Sequence, residues 1–167
     1  DLYQIHWPNS RMPIDETMGA MEDLVDAGKV RFVGVSNFSV EQLKVSQAAS
    51  ENKIVSNQVR YSVVDRRIES ELLPYCQAND VTVLAYSPLE ASGGLSKVRA
   101  GLRAGALAEV ARASGKTEAQ VALNYCISQE RVVAIPRSNS VAHTEENCLA
   151  SGWRLTSDKL EMLELVA

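Results

Sequence analysis

The stretch VRFVGVSNFS at residues 30–39 shows the pattern that decides the fold, because a short apolar run leads into polar residues and then into a helix start. Other apolar runs occur at residues 2–5, 54–55, 81–85 and 132–135. Continuous apolar runs of this kind are typical of strands that are buried on both faces of a parallel sheet. The sequence therefore predicts five buried strands.

Helical signals separate these runs. Apolar side chains recur at helical spacing over residues 18–25, and Gly28 follows as a stop signal. Ser39 with Gln42 has the spacing of a capping box, in which two side chains satisfy each other's free backbone donors. Thr117 with Gln120 repeats that spacing.

Two more helices are predicted, one over residues 68–76 and one that begins after Thr156. Residues 92–103 contain glycine, serine and alanine without clear periodicity and are predicted to form a mobile loop.

The alternation of strands and helices predicts an α/β fold, in which a parallel sheet follows the order of the chain and the helices lie outside it. Both doubly wound sheets and barrels fit this alternation. No glycine fingerprint follows the first strand, which counts against a doubly wound dinucleotide-binding fold. The length of 167 residues suits a single domain over residues 1–167.

Composition argues against several classes of partner. The formal net charge is −4, so the chain has no basic surplus with which to neutralise a nucleic acid backbone. The apolar runs are too short to cross a bilayer, so no membrane partner is expected. Cys76, Cys126 and Cys148 are widely spaced, which favours buried, reduced thiols over disulfides or a metal site. A cytoplasmic location is expected.

Polar or aromatic residues stand at the end of every apolar run. These residues are His6 and Trp7, Ser36 and Asn37, Asn57 and Gln58, Tyr86 and Ser87, and Arg137 and Ser138. In a barrel of strand–helix units, the ends of successive strands meet on the face that holds the active site. An imidazole there can donate a hydrogen bond to a carbonyl, and amides can orient a carboxamide. An aromatic ring can stack on a flat ring, and a cation can hold a phosphate.

Each of these residues also has a simpler interpretation. A lone histidine such as His6 is more often structural than catalytic, and Ser36 with Asn37 suits a turn and a helix cap. Tyr86 could be an ordinary core aromatic, and Arg137 a solvated surface charge. The occurrence of such residues at five consecutive strand ends favours a functional site.

Several strings of the sequence resemble signatures of the aldo-keto reductases and occur in that family's order. They are DLYQIHWP, VRFVGVSNFS, SNQVRYS, LAYSPLE, GKTEAQVALNY and VAIPRSNS followed by EENCL. The resemblance implies a parallel (β/α)8 TIM-barrel type of fold, here a partial barrel of about five βα units. It also implies NADP(H) as cofactor and the reduction of small aldehydes or ketones to alcohols by hydride transfer.

The resemblance implies a role for each matched residue. His6 matches the family's catalytic histidine, and Trp7 matches a residue of the substrate pocket. The cofactor contacts would be Ser36, Asn37 and Gln58 at the carboxamide, Tyr86 on the nicotinamide ring, Ser87 and Leu89 at the pyrophosphate, Arg137 and Ser138 at the 2′-phosphate, and Glu146 and Asn147 at the adenine.

The sequence departs from the family pattern in two ways. The match starts at the family's fourth strand, and of the catalytic aspartate, tyrosine, lysine and histidine only the histidine has a counterpart, His6. These 167 residues alone are therefore expected to be weak or inactive as a reductase. His143 stands where many members carry an arginine beside the 2′-phosphate, which weakens the expected preference for NADP.

The sequence also leaves a non-catalytic interpretation open. A sheet of five strands has two open edges, and open edges favour pairing with another chain. The alternative is therefore an NADP-binding or self-associating half-barrel, or a regulatory relative such as the ion-channel β subunits of this family.

Overall fold

A computed structural model describes residues 1–89 and 104–164. Its five strands form one sheet whose order follows the chain, as the sequence predicts. The strands are β1 (Leu2–Ile5), β2 (Phe32–Ser36), β3 (Ile54–Arg60), β4 (Thr82–Tyr86) and β5 (Val132–Ile135). β1 pairs with β2, and β2 with β3, in parallel. The expected α/β class is therefore confirmed.

The described helices lie between and after these strands. They are α1 (Ile14–Asp26), α2 (Val40–Ala48), α3 (Leu72–Ala78), α4 (Ala104–Ser114), α5 (Glu118–Ser128), α6 (Val141–Cys148) and α7 (Ser157–Glu164). Both predicted capping boxes are present, with Ser39 and Thr117 as the capping residues. The loop predicted over residues 92–103 lies outside the described residues.

Two elements differ from the prediction. The third strand runs over Ile54–Arg60 instead of two residues, so Asn57 and Gln58 lie inside β3 and not beyond its end. Ser56 and Asn57 can be buried in this strand because their side chains are hydrogen-bonded, Ser56 to Gln4 and Asn57 to Phe38. The predicted helix over residues 68–76 is divided into a 3₁₀ helix, Arg67–Ser70, and α3, because Glu71 between them has a non-helical backbone.

The chain divides into two compact units. The first unit contains Asp1–Val59 and Ile68–Leu84, and the second contains Arg60–Arg67 and the described residues from Ala85 onward. Buried side chains of the first unit include Met18, Val35, Leu43 and Ile54. In the second unit the core includes Tyr61, Leu107, Val110, Tyr125 and Leu163. Each unit therefore has its own apolar core.

The cysteines correct one expectation. All three are free, but only Cys76 and Cys126 are buried, whereas Cys148 is exposed at the end of α6. The exposure follows from the helix, which has no buried residue. Burial raises the pKa of the Cys76 thiol to about 11. Among the described residues, no helix is long and apolar enough to cross a membrane.

A carboxylate of α1 holds the turn that leads from α2 into β3. One oxygen of Glu22 accepts hydrogen bonds from the Ser50 hydroxyl, at 2.8 Å, and from the backbone N–H groups of Glu51 and Asn52. The bond from Ser50 and the two backbone bonds lower the pKa of Glu22 below its ordinary value. The ionised form of Glu22 therefore stabilises the approach to β3.

Replacement of Glu22 by glutamine should lower the melting temperature at pH 7. Because the pKa is lowered by folding, the stabilisation is present above the unfolded-state pKa and is lost as the pH falls through the folded-state pKa. The difference between wild type and Glu22→Gln should therefore shrink in acid, which thermal unfolding at a series of pH values measures. Asp23→Asn, which alters an exposed carboxylate on the same helix, is the matched control. A difference that stayed constant with pH would contradict this assignment.

Candidate functional site

Three strands of the first unit carry the polar residues predicted for the site. His6 follows the last residue of β1, Ser36 ends β2, and Gln58 lies opposite Ser36 in the pairing of β2 with β3. Asn37 follows Ser36 and is connected by hydrogen bonds to both neighbouring strands. The structure therefore brings the first-unit residues His6, Ser36, Asn37 and Gln58 together.

Asn37 links the ends of these strands. Its backbone N–H donates to the Gln58 carbonyl at 2.9 Å. Its side-chain Nδ2 donates to the His6 carbonyl at 3.2 Å and to the Ser36 hydroxyl at 2.9 Å. The Ser36 hydroxyl donates in turn to the Gln58 carbonyl at 2.8 Å. This set of bonds fixes the ends of β1 and β2 and the Gln58 position of β3 relative to each other.

The backbone of Asn37 has a φ of 63°. This left-handed conformation costs most residues about 1–2 kcal/mol, but asparagine adopts it more readily because its short amide bonds to nearby backbone. The turn at Asn37 lets the chain leave β2 and enter α2 within three residues. The hydrogen bonds to His6 and Gln58 are therefore formed by a residue type that suits this backbone.

Asn57 supports the same turn from beneath. Its side chain is fully buried, donates to the Phe38 carbonyl at 2.9 Å and accepts from the Phe38 N–H at 3.4 Å. The sequence predicts a role for Gln58 and none for Asn57. The sequence does hold a signal for Asn57. Consecutive side chains of a strand point to opposite faces, so Asn57 and Gln58 must have different surroundings.

Among the predicted site residues of the first unit, His6 and Gln58 have polar side-chain groups that remain available. The His6 side chain is exposed and the Gln58 side chain is half-buried, and neither makes a hydrogen bond among the described residues. The Trp7 ring is 57% exposed and its centroid lies 6.2 Å from that of His6. This surface offers an imidazole, an amide and an indole to a ligand.

The second unit contains a cavity of about 610 Å³. Its lining includes Tyr86, Ser87 and Leu89 from the end of β4, and Arg137, Ser138 and His143 from the end of β5 and α6. Ser87 has a φ of 52°, so the chain turns sharply as it leaves β4. Arg137 is exposed and forms no ion pair within residues 1–89 and 104–164. The cavity therefore combines an aromatic ring with an uncommitted cation.

The start of α6 adds backbone donors to this region. The Ser138 hydroxyl donates to the Ser140 carbonyl at 2.9 Å and accepts from the Ser140 N–H at 3.1 Å, which shapes the turn before the helix. Ser140 is the N-cap, and its side chain accepts no bond from the helix. The first N–H groups of a helix have no partner within the helix and attract anions. Arg137 and the helix start therefore both favour a negatively charged group.

A second cavity, of about 470 Å³, lies between α5, the end of β5 and α6. Asn147 lines it together with apolar groups of Leu123, Ile127 and Pro136. Glu146 is half-buried beside Asn147 in the chain, and its carbonyl accepts a bond from Gln120 at 3.2 Å. A cleft that combines these apolar groups with an amide and with the hydroxyls of Ser138, Thr144 and Ser151 suits a flat heterocycle.

Buried Asn124 holds the segment that follows α6. It donates to the carbonyls of Ala150 and Trp153 at 2.8 and 3.0 Å, and it accepts from the Leu155 N–H at 3.0 Å. An asparagine with so many satisfied groups specifies one conformation of its surroundings. Asn124 and Gln120 together connect α5 with α6 and the chain beyond it.

Comparison with known proteins identifies the family. The sequence model of the Aldo/keto reductase family matches residues 1–167, and the chain belongs to this family. The chain is 39% identical over 166 residues to methylglyoxal reductase YeaE of Escherichia coli K12. It is 33% identical over 190 residues to the chloroplastic pyridoxal reductase of Arabidopsis thaliana.

Solved structures agree with the sequence relatives. A thermostable aldo-keto reductase, Tm1743, in complex with the inhibitor epalrestat has a TM-score of 0.92 and 38% identity. An aldo-keto reductase of Klebsiella pneumoniae in complex with NADPH has a TM-score of 0.89 and 36% identity.

Each match covers nearly all of this chain but a smaller share of the relative. The matches cover 98% of this chain but 57% of the E. coli reductase, and 98% of this chain but 52% of the Arabidopsis reductase. They cover 100% of this chain and 60% of the Tm1743 structure, and 99% of this chain and 58% of the Klebsiella structure. The chain therefore spans less than two thirds of the length of these relatives.

Proposed function

We propose that the protein takes part in the NADPH-dependent reduction of a small aldehyde or ketone to an alcohol. The observation that carries this proposal is the second-unit cavity, where Arg137 and the start of α6 favour an anion and Tyr86 supplies an aromatic face. The Klebsiella relative bound to NADPH and the E. coli methylglyoxal reductase support the choice of cofactor and substrate class.

Residues of the second unit fit the phosphate and adenine part of such a cofactor. Arg137 and Ser138 would hold the 2′-phosphate, since a guanidinium pairs with phosphate through its planar fork. Glu146 and Asn147 would contact the adenine, and Ser87 and Leu89 the pyrophosphate. The volume of about 610 Å³ lies within the range of ordinary ligand sites.

In the first unit, the strand ends would hold the nicotinamide end. The Gln58 amide, which makes no hydrogen bond among the described residues, can bind a carboxamide directly. Ser36 and Asn37 are bonded to each other and to strand carbonyls, and these bonds fix the shape of this position. The family resemblance also assigns both residues to contact with the carboxamide. The family resemblance assigns stacking on the nicotinamide ring to Tyr86 of the second unit.

The cofactor, when bound, would supply the hydride. His6 would donate a hydrogen bond to the carbonyl oxygen and orient it, and the exposed Trp7 ring beside it would contact the substrate. A general acid must also deliver a proton to that oxygen, a contribution of about 10²–10⁴ in rate. Of the family's four catalytic residues only His6 has a counterpart here, so we propose that these 167 residues alone are a poor reductase.

Replacement of Arg137 by alanine should weaken NADPH binding by about 1–3 kcal/mol, the value of a charged hydrogen bond, which corresponds to roughly 5–150-fold. Binding of NADH should change little, because NADH lacks the 2′-phosphate. Fluorescence titration with both cofactors measures the two affinities. Arg112→Ala, which removes an exposed arginine from α4 of the same unit, is the matched control. Equal losses for NADPH and NADH would contradict the assignment of Arg137.

The catalytic role of His6 is tested by NADPH oxidation with methylglyoxal. The 167 residues are compared with a chimaera that adds the part of the E. coli reductase which this chain does not match, and with the His6→Ala variant of each. We expect turnover in the chimaera, a fall of about 10²-fold or more in its His6→Ala variant, and little turnover in the 167 residues alone. Equal turnover of the chimaera and the 167 residues would show that the added residues are dispensable.

A second candidate function is self-association, as an NADP-binding module without catalysis. The outer strands of the described sheet expose apolar side chains: Leu2 and Tyr3 of β1 are 39% and 52% exposed, and Val133 and Ile135 of β5 are 48% and 39% exposed. Exposed edges of this kind favour pairing with another chain. If this function holds, sedimentation velocity should show a dimer that Tyr3→Lys or Val133→Lys dissociates. A monomer at all concentrations would eliminate it.

A further inference from the structure

A side-chain hydrogen bond spans β1, β2 and β3 of the first unit. It lies two residues before the positions of the proposed site in each strand. Gln4 of β1 pairs with Gly34 of β2, and Gly34 pairs with Ser56 of β3. The Gln4 side chain passes over Gly34, and its Nε2 donates to the Ser56 hydroxyl at 3.2 Å and to the Val35 carbonyl at 3.1 Å. We call Gln4, Gly34 and Ser56 the polar rung.

Gly34 is needed because a larger residue would leave no room for the neighbouring side chains, and not because of its backbone conformation. A Cβ at this position would overlap the Ser56 hydroxyl oxygen and would lie 3.1 Å from Cγ of Gln4. Its φ is not in the left-handed region. The absence of a side chain on the middle strand is therefore what allows Gln4 to reach across to Ser56.

The polar rung coincides with an irregularity in the sheet. Val33 pairs with Ile54, but Gly34 pairs with Ser56, so Val55 has no partner in β2. From that point the pairing continues in order, and two residues later Ser36 lies opposite Gln58. Because side chains alternate between faces, a slip by one residue would turn Gln58 away from the face it now occupies.

We propose that Gln4 and Ser56 are positioning residues for the nicotinamide end of the site. Their hydrogen bond fixes the register of β1, β2 and β3 below the strand ends that carry His6, Ser36 with Asn37, and Gln58. Two of these strands are not neighbours, so the backbone ladder cannot join β1 to β3 directly. The proposal rests on the proposed function, because it assigns the rung a role in holding those strand ends.

The chemistry of the rung favours positioning over stability. Ser56 is 2% exposed, and an apolar residue at this place would be a simpler way to fill a core. A hydrogen bond, unlike an apolar contact, weakens steeply when its direction changes. A polar rung thus penalises small relative movements of the strands that an apolar contact would tolerate.

The test compares two ligands in the full protein. Gln4→Met and Ser56→Ala each remove one partner of the bond with little change of volume. The probes are NADPH, which would reach the strand ends, and adenosine 2′,5′-bisphosphate, which has no nicotinamide. We expect NADPH to bind roughly tenfold more weakly, as for one lost hydrogen bond, while binding of the bisphosphate is unchanged. Gln4→Met also removes the bond to the Val35 carbonyl, so the double variant should bind NADPH no more weakly than Gln4→Met alone.

Ser46→Ala is the matched control. Ser46 is a fully buried serine of the first unit, whose hydroxyl donates to the Gln42 carbonyl at 2.7 Å within α2, away from the strands. It should change the unfolding free energy about as much as Ser56→Ala but leave the NADPH affinity unchanged.

The possible failures are distinguishable. If wild type binds neither NADPH nor the bisphosphate, the proposed function is wrong and the positioning role is lost with it. If wild type binds both, but the rung variants weaken both equally or Ser46→Ala acts like Ser56→Ala, the rung only stabilises the fold. A selective loss of NADPH affinity in both rung variants supports the proposal.

Discussion

In the pairing of β2 with β3, the register shifts by one residue between Val33 and Gly34, and that shift places Ser36 beside Gln58. Most features of the first-unit site depend on this placement. The Gln58 carbonyl is close enough to accept both the Ser36 hydroxyl and the Asn37 N–H only because the two strands are aligned in this way. A ladder without this irregularity would place a different residue of β3 beside Ser36.

The chain turns within a very short distance after β2, and this turn has a cost. Asn37 adopts a left-handed backbone, and residues in such conformations persist only where their surroundings determine them. Here Asn37 is bonded to His6, Ser36 and Gln58, and buried Asn57 holds Phe38 on the other side of the turn. Several amide groups therefore replace the regular backbone ladder at the point where β2 becomes α2.

Local features of the structure could be predicted from the sequence, and distant ones could not. The capping boxes at Ser39 and Thr117 depend on residues three positions away, so the sequence predicts them correctly. The five strands and their order follow from alternation and from the handedness of crossovers. The family, too, could be predicted, from sequence strings that resemble its signatures in strands, strand ends and helices.

The interactions that join separate strands were not visible in the sequence. Gln4 interrupts an apolar run, but its partner Ser56 lies 52 residues away, and only the register shows that they meet. The length of β3 was underestimated because Ser56, Asn57 and Gln58 are polar, although the strand buries the first two. The exposure of Cys148 depends on how α6 packs, which periodicity alone does not determine.

The chain has two tryptophans, and each unit contains one of them. Trp7 of the first unit is largely exposed next to His6, so its emission should respond to whatever covers that ring. Trp153 of the second unit is less exposed, donates from its indole nitrogen to the Leu149 carbonyl at 3.0 Å and lies beneath the Lys116 ammonium. The two indoles therefore have different polarity and different neighbours. Intrinsic fluorescence can thus report on both units of the chain without any added label.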